Sequence, residues 1–359
     1  MFIQGNQLAT IDLQYNSLLY ELGCDNNPLT TLDLSNNTEI QKLFCSHTEI
    51  SSIIFPNDCK IYRLSCESAN LTEIDVSALQ DLDFLSVWNN DITTLDVSNN
   101  LLLTELLCGQ NQLESLLIPE SNIINKIDAR NNRLSNLEEI LNVDTGSNTI
   151  NEQNPSLITL NILRNNFVFA DFEPRWVELT QIPAFSYDAQ NMIGVQAEIS
   201  IELGTELTLE IAGYLPATSD QYQWHNNLEI LDGETGTTLE LGSVDFAHSG
   251  AYHCEVTNTA VPDLTLESFT IQVLVTTVGT EDFEKTALNV YPNPASDFIS
   301  IQNEGNEIHF QLFNSEGKKI FEDQSFSGEE INVDHLPKGL YILKVDAIGS
   351  RATKRVILY

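Results

Sequence analysis

The apolar positions in the N-terminal part of the chain fall into columns spaced 21 residues apart. One column is Cys24, Cys45, Cys66, Val87, Cys108 and Ala129; another, two places earlier, is Leu22, Leu43, Leu64, Leu85, Leu106 and Ile127. A third runs Leu8, Leu29, Ile50, Leu71, Ile92, Leu113 and Leu134, and a fourth Ile11, Leu32, Ile53, Ile74, Leu95, Leu116 and Leu137. A fixed period with apolar columns predicts stacked coils, because no single coil can cover its own apolar face. In Glu21–Asp25, alternation sends Leu22 and Cys24 inward and leaves Glu21, Gly23 and Asp25 on the opposite face. Each coil is therefore expected to add one strand to a parallel sheet. Asn27, Asn90, Asn111 and Asn132 follow that strand, where a side-chain amide can satisfy buried backbone groups of the next coil. Thr48 and Ala69 interrupt this ladder. The other half of each unit, as in Leu29–Leu34 and Ile92–Val97, predicts a second, less regular strand.

The repeated pattern Leu-x-x-Leu-x-Cys-x-x-Asn, in Leu19–Asn27 and again in Leu103–Asn111, resembles the leucine-rich repeat, in the 21-residue form common in secreted proteins of Bacteroidetes. After a polar break at Gly146–Gln153, Leu157, Leu160, Ile162, Asn165 and Phe167 restore the pattern once, with Ile162 in the place of the cysteine column. That is expected of a terminal coil. At the other end Ile3 stands in register with Cys24 and Met1 with Leu22, so the chain starts in mid-coil and more sequence is expected upstream.

No Lys or Arg occurs between Arg175 and Lys285, which marks a change of domain. Short alternating segments at Leu207–Ile211, Tyr222–Trp224 and Gly250–Val256, separated by Gly, Asp and Asn turns, predict a β-sandwich. The segment 195–276 resembles an immunoglobulin-like domain: Trp224 takes the place of the buried strand tryptophan, and Tyr252, two residues before Cys254, that of the tyrosine corner. Ile211 stands where the bridging cysteine would be. The last segment holds Tyr291-Pro292-Asn293-Pro294, a hairpin signal at Asn314–Lys318, Gly317, Gly339 and a terminal Lys354-Arg355 before Val356–Tyr359. In that order these resemble the C-terminal sorting domain of the type IX secretion system. The resemblance implies export across the outer membrane, removal of the domain and anchoring to surface lipopolysaccharide. Read from its residues alone, the segment is a small antiparallel sandwich with a basic end at Lys344, Arg351, Lys354 and Arg355.

The expected fold is thus mainly β: a leucine-rich-repeat solenoid at 1–172, a cap or linker at 173–194, an immunoglobulin-like sandwich at 195–276, a linker at 277–287 and a sorting domain at 288–359. The net charge of −36 opposes binding to nucleic acid or to anionic membranes, and no apolar run reaches the roughly 18 residues of a membrane helix. Among six cysteines, Cys24, Cys45, Cys66 and Cys108 occupy inward positions filled elsewhere by Val87 and Ala129, as small hydrophobes do. Parallel Cβ vectors in neighbouring coils disfavour bonding between them. Cys59 reads as an unpaired thiol in a turn. His47, His225, His248, His253, His309 and His335 are scattered, and no His-Glu-x-x-His occurs. No catalytic residue, no enzyme activity and no cofactor is expected.

Two features carry candidate binding chemistry. On the face opposite the spine, Lys42, Phe44, Arg63, Phe84, Trp88 and Arg130 group exposed aromatics with cations, as recognition surfaces do; an ordinary sheet face with aromatic cover reads the same way. Asp12, Asp33, Asp75 and Asp96 form an acidic stripe that either holds calcium or is simply solvated. The expected function is adhesion-type binding of a protein or glycan at the cell surface or outside it, after passage through the periplasm and contact with the type IX machinery. The alternative is the accessory and sorting part of a secreted hydrolase whose catalytic domain lies upstream.

Overall fold

A computed structural model describes residues 1–120, 123–141, 156–276, 289–302, 307–314, 317–326, 328–347 and 350–359. The polar break at Gly146–Gln153 and the linker at 277–287 lie outside the described residues. The described chain divides into two compact units, Met1–Ile199 with Glu206–Gly242 and Gly250–Val273, and Ser200–Thr205 with Ser243–Ser249 and Leu274–Tyr359.

The first unit opens with a solenoid. Three-residue strands at Glu21–Gly23, Lys42–Phe44, Arg63–Ser65, Phe84–Ser86, Glu105–Leu107 and Lys126–Asp128 pair in parallel, each in register with the residues 21 positions on. Thr159–Asn161 and Ala184–Ser186 extend the sheet to eight strands. Leu160 pairs with Ile127, so Ile162 does continue the cysteine column. Every member of the Leu22 and Cys24 columns is fully buried, and each such Leu contributes roughly 1.5–3 kcal/mol. The thiols are free and buried, Cys59 included. The sulfurs of Cys45 and Cys66 lie 2.7 Å apart; that hydrogen bond, and then burial, keeps the Cys45 thiol protonated well above its usual range.

The asparagine ladder exists but reaches the preceding coil, not the next. Asn111 accepts from Ile92 N (3.0 Å) and donates to Val87 O (2.9 Å) and to its own turn at Cys108 O (3.1 Å). Asn90, Asn132 and Asn165 repeat this geometry. Thr48 keeps only the bond to its own turn, to Cys45 O at 2.8 Å. Ahead of each asparagine position the backbone turns through the left-handed region, at Asn26, His47, Ser68, Asn89, Gln110 and Asn131, with φ between 52° and 56°. A second asparagine pair, on the far side, goes beyond the expected ladder: Asn37 donates to Leu13 O and Asn16 O, and Asn100 to Val76 O and Leu79 O.

Two expectations need correction. The Leu8 column is buried from Leu29 onward, but Leu8 itself is 36 % exposed, because among the described residues a coil packs on one side of it only. The second strand forms in four coils, as the pairs Thr31–Asp33 with Ser52–Ile54 and Thr94–Asp96 with Ser115–Leu117, and is interrupted between them. Past the last coil, short helical turns at Phe169–Phe172 and Trp176–Leu179 pack an aromatic cluster in which Trp176 meets Tyr187 edge-on at 4.9 Å and Phe185 stacks on Tyr187.

The same unit holds most of a two-sheet β region. Gly250–Asn258 pairs antiparallel with Asp220–Asn226 on one side and with Ile271–Thr276 and Thr265–Glu267 on the other. A smaller sheet joins Glu206–Glu210 to Thr238–Ser243. Trp224, Tyr252, Cys254 and Val256 point into the core, and the Trp224 indole donates to Gly236 O at 3.0 Å.

In the second unit, residues 289–359 build two antiparallel sheets. One orders Asn289–Tyr291, Phe298–Gln302 and Glu330–Asn332; the other orders Lys319–Phe326, Glu307–Asn314, Gly339–Ala347 and Ser350–Leu358. Ile299, Ile301, Phe310, Leu312, Leu343, Val356 and Leu358 are among the residues of their shared core. The fold is mainly β throughout, a solenoid followed by two antiparallel regions. Among the described residues no helix is long and apolar enough to cross a membrane.

Candidate functional site

The eight-stranded sheet sets the geometry of its open face. Parallel pairing in register places Glu21, Lys42, Arg63, Phe84, Glu105 and Lys126 in one row and Gly23, Phe44, Ser65, Ser86, Leu107 and Asp128 in the next. Side chains in such a row stand about 4.8 Å apart, so a long cation reaches residues one or two coils away. The Arg63 guanidinium lies over the Phe84 ring at 4.4 Å, and the Arg130 guanidinium over the Trp88 ring at 4.8 Å. Lys42 sits 5.8 Å from the Tyr62 ring; hydrogen bonding to Tyr62, reinforced by Glu21, holds its ammonium above the usual range. Contacts of this kind contribute about 0.5–2 kcal/mol each.

Trp88 is fixed from three sides. Its indole N–H donates to Gln110 Oε1 at 3.0 Å, Arg130 covers one face, and the ring lies against Gly109, where a β-carbon would overlap it. Gly109 is needed for that close approach. Beside this cluster Arg130 Nη2 pairs with Asp128 Oδ2 at 3.1 Å. Asp128 is 8 % exposed, and burial raises its carboxyl above the usual range, with Arg130 opposing. The pair is half satisfied: Asp128 Oδ1 and Arg130 Nε are buried with no hydrogen-bond partner. Further along, Ser86 donates to Glu67 Oε1 (2.6 Å), and Ser46 Oγ accepts from Glu67 N (3.0 Å) and hydrogen-bonds the Ser65 hydroxyl (3.1 Å).

The six residues singled out from the sequence thus lie on one face, but in two groups. Lys42, Phe44, Arg63 and Phe84 belong to the rows of the strands, while Trp88 and Arg130 form a cluster at the strand ends. None of the three aromatics is open to solvent. Phe44, Phe84 and Trp88 are all half-buried; Arg63 folds over Phe84 from the adjacent coil, and Arg130 reaches Trp88 from two coils on, across Gly109. Tyr62, Asp128 and Gln110 were missed in the sequence. Gln110 meets Trp88 only through the register of one coil on the next, whereas Asp128 stands two residues before Arg130 on the same coil.

The acidic stripe is used by the backbone. Asp12, Asp33, Asp75 and Asp96 each accept the amide two residues on, from Gln14, Ser35, Ser77 and Ser98 at 2.9–3.0 Å. Bonding to Ser35 and Ser77 holds the carboxyls of Asp33 and Asp75 below the usual range.

In residues 289–359 the signature residues are structural fasteners. Asn293 donates to Arg355 O (2.7 Å) and accepts from Ile357 N (2.9 Å); Ala295 and Tyr359 add two further backbone bonds across the same edge. The peptide bonds before Pro292 and Pro294 are cis. Gly317 (φ 74°) closes the hairpin, its N–H donating to Asn314 O. Lys354 and Arg355 are exposed, whereas Val356 and Leu358 beyond them are buried. Arg351, Lys354 and Arg355 of the basic end therefore belong to the final strand of the core, and Lys344 to the strand paired with it.

Comparison with known proteins follows the same division. A structure described as the functional domain of InlJ from Listeria monocytogenes, which includes a cysteine ladder, is 18 % identical over 76 % of this chain, with a TM-score of 0.49. The leucine-rich repeat domain of APL1B is 15 % identical over 56 % of the chain, with a TM-score of 0.40. Immunoglobulin domains 1–5 of Sidekick-1 are 14 % identical over 48 %, with a TM-score of 0.22. The chain spans 60 %, 66 % and 42 % of those three structures. No curated protein matches the chain. The family described as "Secretion system C-terminal sorting domain" matches residues 289–359. Those residues are a sorting domain of the type IX secretion system, and they direct the chain to the cell surface or the exterior.

Proposed function

We propose that this is a non-enzymatic binding protein of the cell surface or exterior, and that the open face of its parallel sheet takes a protein or glycan ligand. In this reading 1–172 is the binding solenoid, 173–194 its cap, 195–276 an immunoglobulin-like spacer and 277–287 a linker. Residues 288–359 are the export signal, used after passage through the periplasm. The observation that carries the proposal is the Trp88–Arg130–Asp128 cluster. An aromatic ring held in place next to a buried, unpartnered donor and acceptor offers both stacking and hydrogen bonding to an incoming group. The nearby Arg63–Phe84 pair and Phe44 widen the surface along the same sheet.

The test is binding of the full chain to a glycan array and a surface-protein array, repeated with Phe84→Ala plus Trp88→Ala. Loss of central aromatic anchors is expected to weaken the best ligand by about 2 kcal/mol or more. Because the rings are half-buried, the melting midpoint is expected to fall slightly as well; circular dichroism checks that the solenoid stays folded. Arg130→Gln, which keeps the bulk and removes the charge, is expected to weaken the same ligand. Equal affinity of all three proteins would move the site off this face.

A further inference from the structure

On the outer face of the β-sheet around Gly250–Asn258, antiparallel pairing sets His225 directly opposite His253, and Glu255 lies two residues further along the same face. The two imidazoles stack with centroids 4.6 Å apart and planes 20° from parallel. His225 Nε2 lies 3.6 Å from Glu255 Oε2, and candidate ligand atoms of all three residues fall within 4.8 Å of one another.

Three further observations point to a ligand there. His225 is 7 % exposed, and its Nε2 is buried without a hydrogen-bond partner. A buried imidazole nitrogen left in that state costs free energy that a bound partner would recover. Glu255 pairs directly with Glu267 across the sheet, and like charges in that position repel. No Lys or Arg occurs between Arg175 and Lys285 to neutralise them. Finally, Glu255 lines an open cavity of about 510 Å³ together with Gln223, Thr235 and Thr257, which leaves room for water or an outside group beside its carboxylate.

We propose that His225, His253 and Glu255 bind a divalent transition-metal ion, Zn²⁺ by the chemistry of the donors, at an open three-ligand site. Two imidazoles and one carboxylate are a borderline donor set that suits Zn²⁺ over the hard cations Ca²⁺ and Mg²⁺. Tetrahedral ligands at about 2.0–2.1 Å from Zn²⁺ stand about 3.4 Å apart. The 3.6 Å between His225 and Glu255 is close to that, and the half-buried His253 and Glu255 have the rotamer freedom to close the rest. The buried His225 is the fixed member of the site. The ion would answer the unpartnered nitrogen and the facing carboxylates together.

The experiment uses the full chain, stripped with chelator and titrated with Zn²⁺ alone. One ion per chain is expected, with a rise in melting temperature, and with both imidazoles shifted in the histidine side-chain NMR spectrum of the unmodified protein. Co²⁺ in its place is expected to give visible d–d bands without a thiolate charge-transfer band. His253→Ala and Glu255→Gln, both at half-buried positions and checked for folding by circular dichroism, are expected to lose affinity by more than about tenfold, since removal of a mere outer-shell partner already costs 10–100-fold. Absence of a stoichiometric ion would overturn the proposal, as would imidazole spectra unmoved by Zn²⁺ or unchanged affinity in both folded variants.

Discussion

In the solenoid, three-residue strands pair in parallel with their neighbours 21 residues away, and the same devices return in each coil. In residues 289–359, strands of up to nine residues pair antiparallel, and the first segment is fastened by the last through Asn293, Ala295 and the strand Ser350–Leu358. The first arrangement is a stack, in which each coil depends on its neighbours and, except at Thr48 and Ala69, on one asparagine that binds its turn to the preceding one. The second closes on itself. A stack passes damage along neighbours, whereas a closed core loses everything when its final strand is lost. The contrast also explains why signature residues mean different things in the two regions: a repeated Asn satisfies backbone locally, while the single Asn293 joins the two ends of a domain.

The largest expected effect breaks the stack at its spine. Leu85→Asp puts a carboxylate at a fully buried position with no partner, which costs more than the interface of one coil supplies. Loss of the cooperative melt in far-UV circular dichroism is expected, and a wild-type melt would mean that the column is not the core.

Next comes the closure. Deleting Ser350–Tyr359 removes Val356 and Leu358 from the core and the partner of Gly339–Ala347 over its whole length. That truncation is expected to unfold the sorting domain, so failed export of it says nothing about a signal. Lys354→Ser with Arg355→Ser changes only exposed side chains and separates the two roles. The domain should resist limited proteolysis as before while surface delivery falls. Normal delivery of this variant would show that the export machine does not read the basic pair.

A smaller effect sharpens the role of the ladder. Asn111→Ala removes bonds to Ile92 N, Val87 O and Cys108 O, at about 1 kcal/mol each, or about 3 kcal/mol in all. An unfolding free energy from urea titration lowered by less than a third of that would mean that the turn relaxes without its amide.

The smallest concerns the turn itself. His47 adopts φ 54° with an exposed side chain, a conformation that costs a non-glycine residue roughly 1 kcal/mol or more. His47→Gly removes that cost and adds some unfolded-state entropy. A net gain of about 0.5 kcal/mol is expected in the same urea assay, and a loss would show that the imidazole holds a contact of its own.

Much of this was legible in the sequence because it is periodic. The inward positions of Leu22, Cys24 and their columns follow from alternation and a fixed repeat, and the sorting-domain residues stand in recognisable order. Exposure was less legible. Phe84 and Trp88 were expected in solvent because they alternate outward, yet Arg63 folds over Phe84 from the adjacent coil and Arg130 over Trp88 from two coils on. Alternation names the face and not what covers it. The second asparagine pair, Asn37 and Asn100, went unseen because the residues at the intervening positions, Asp58 and Leu79, break its column.

The sequence by itself determined the register of the solenoid, since an unbroken period admits one alignment of coil upon coil and a one-residue slip would expose the whole spine. It determined the content of the terminal strand as well. Tertiary structure alone decided which scattered polar residues meet: Arg130 with Trp88, Asn293 with the final strand, and His225 with His253 and Glu255. The last two depend on non-local pairing between strands with no shared repeat, and the first on a long side chain reaching across Gly109 of the coil between. No local pattern of residues encodes that, because the register of an antiparallel pair is set by the packing of the whole sheet.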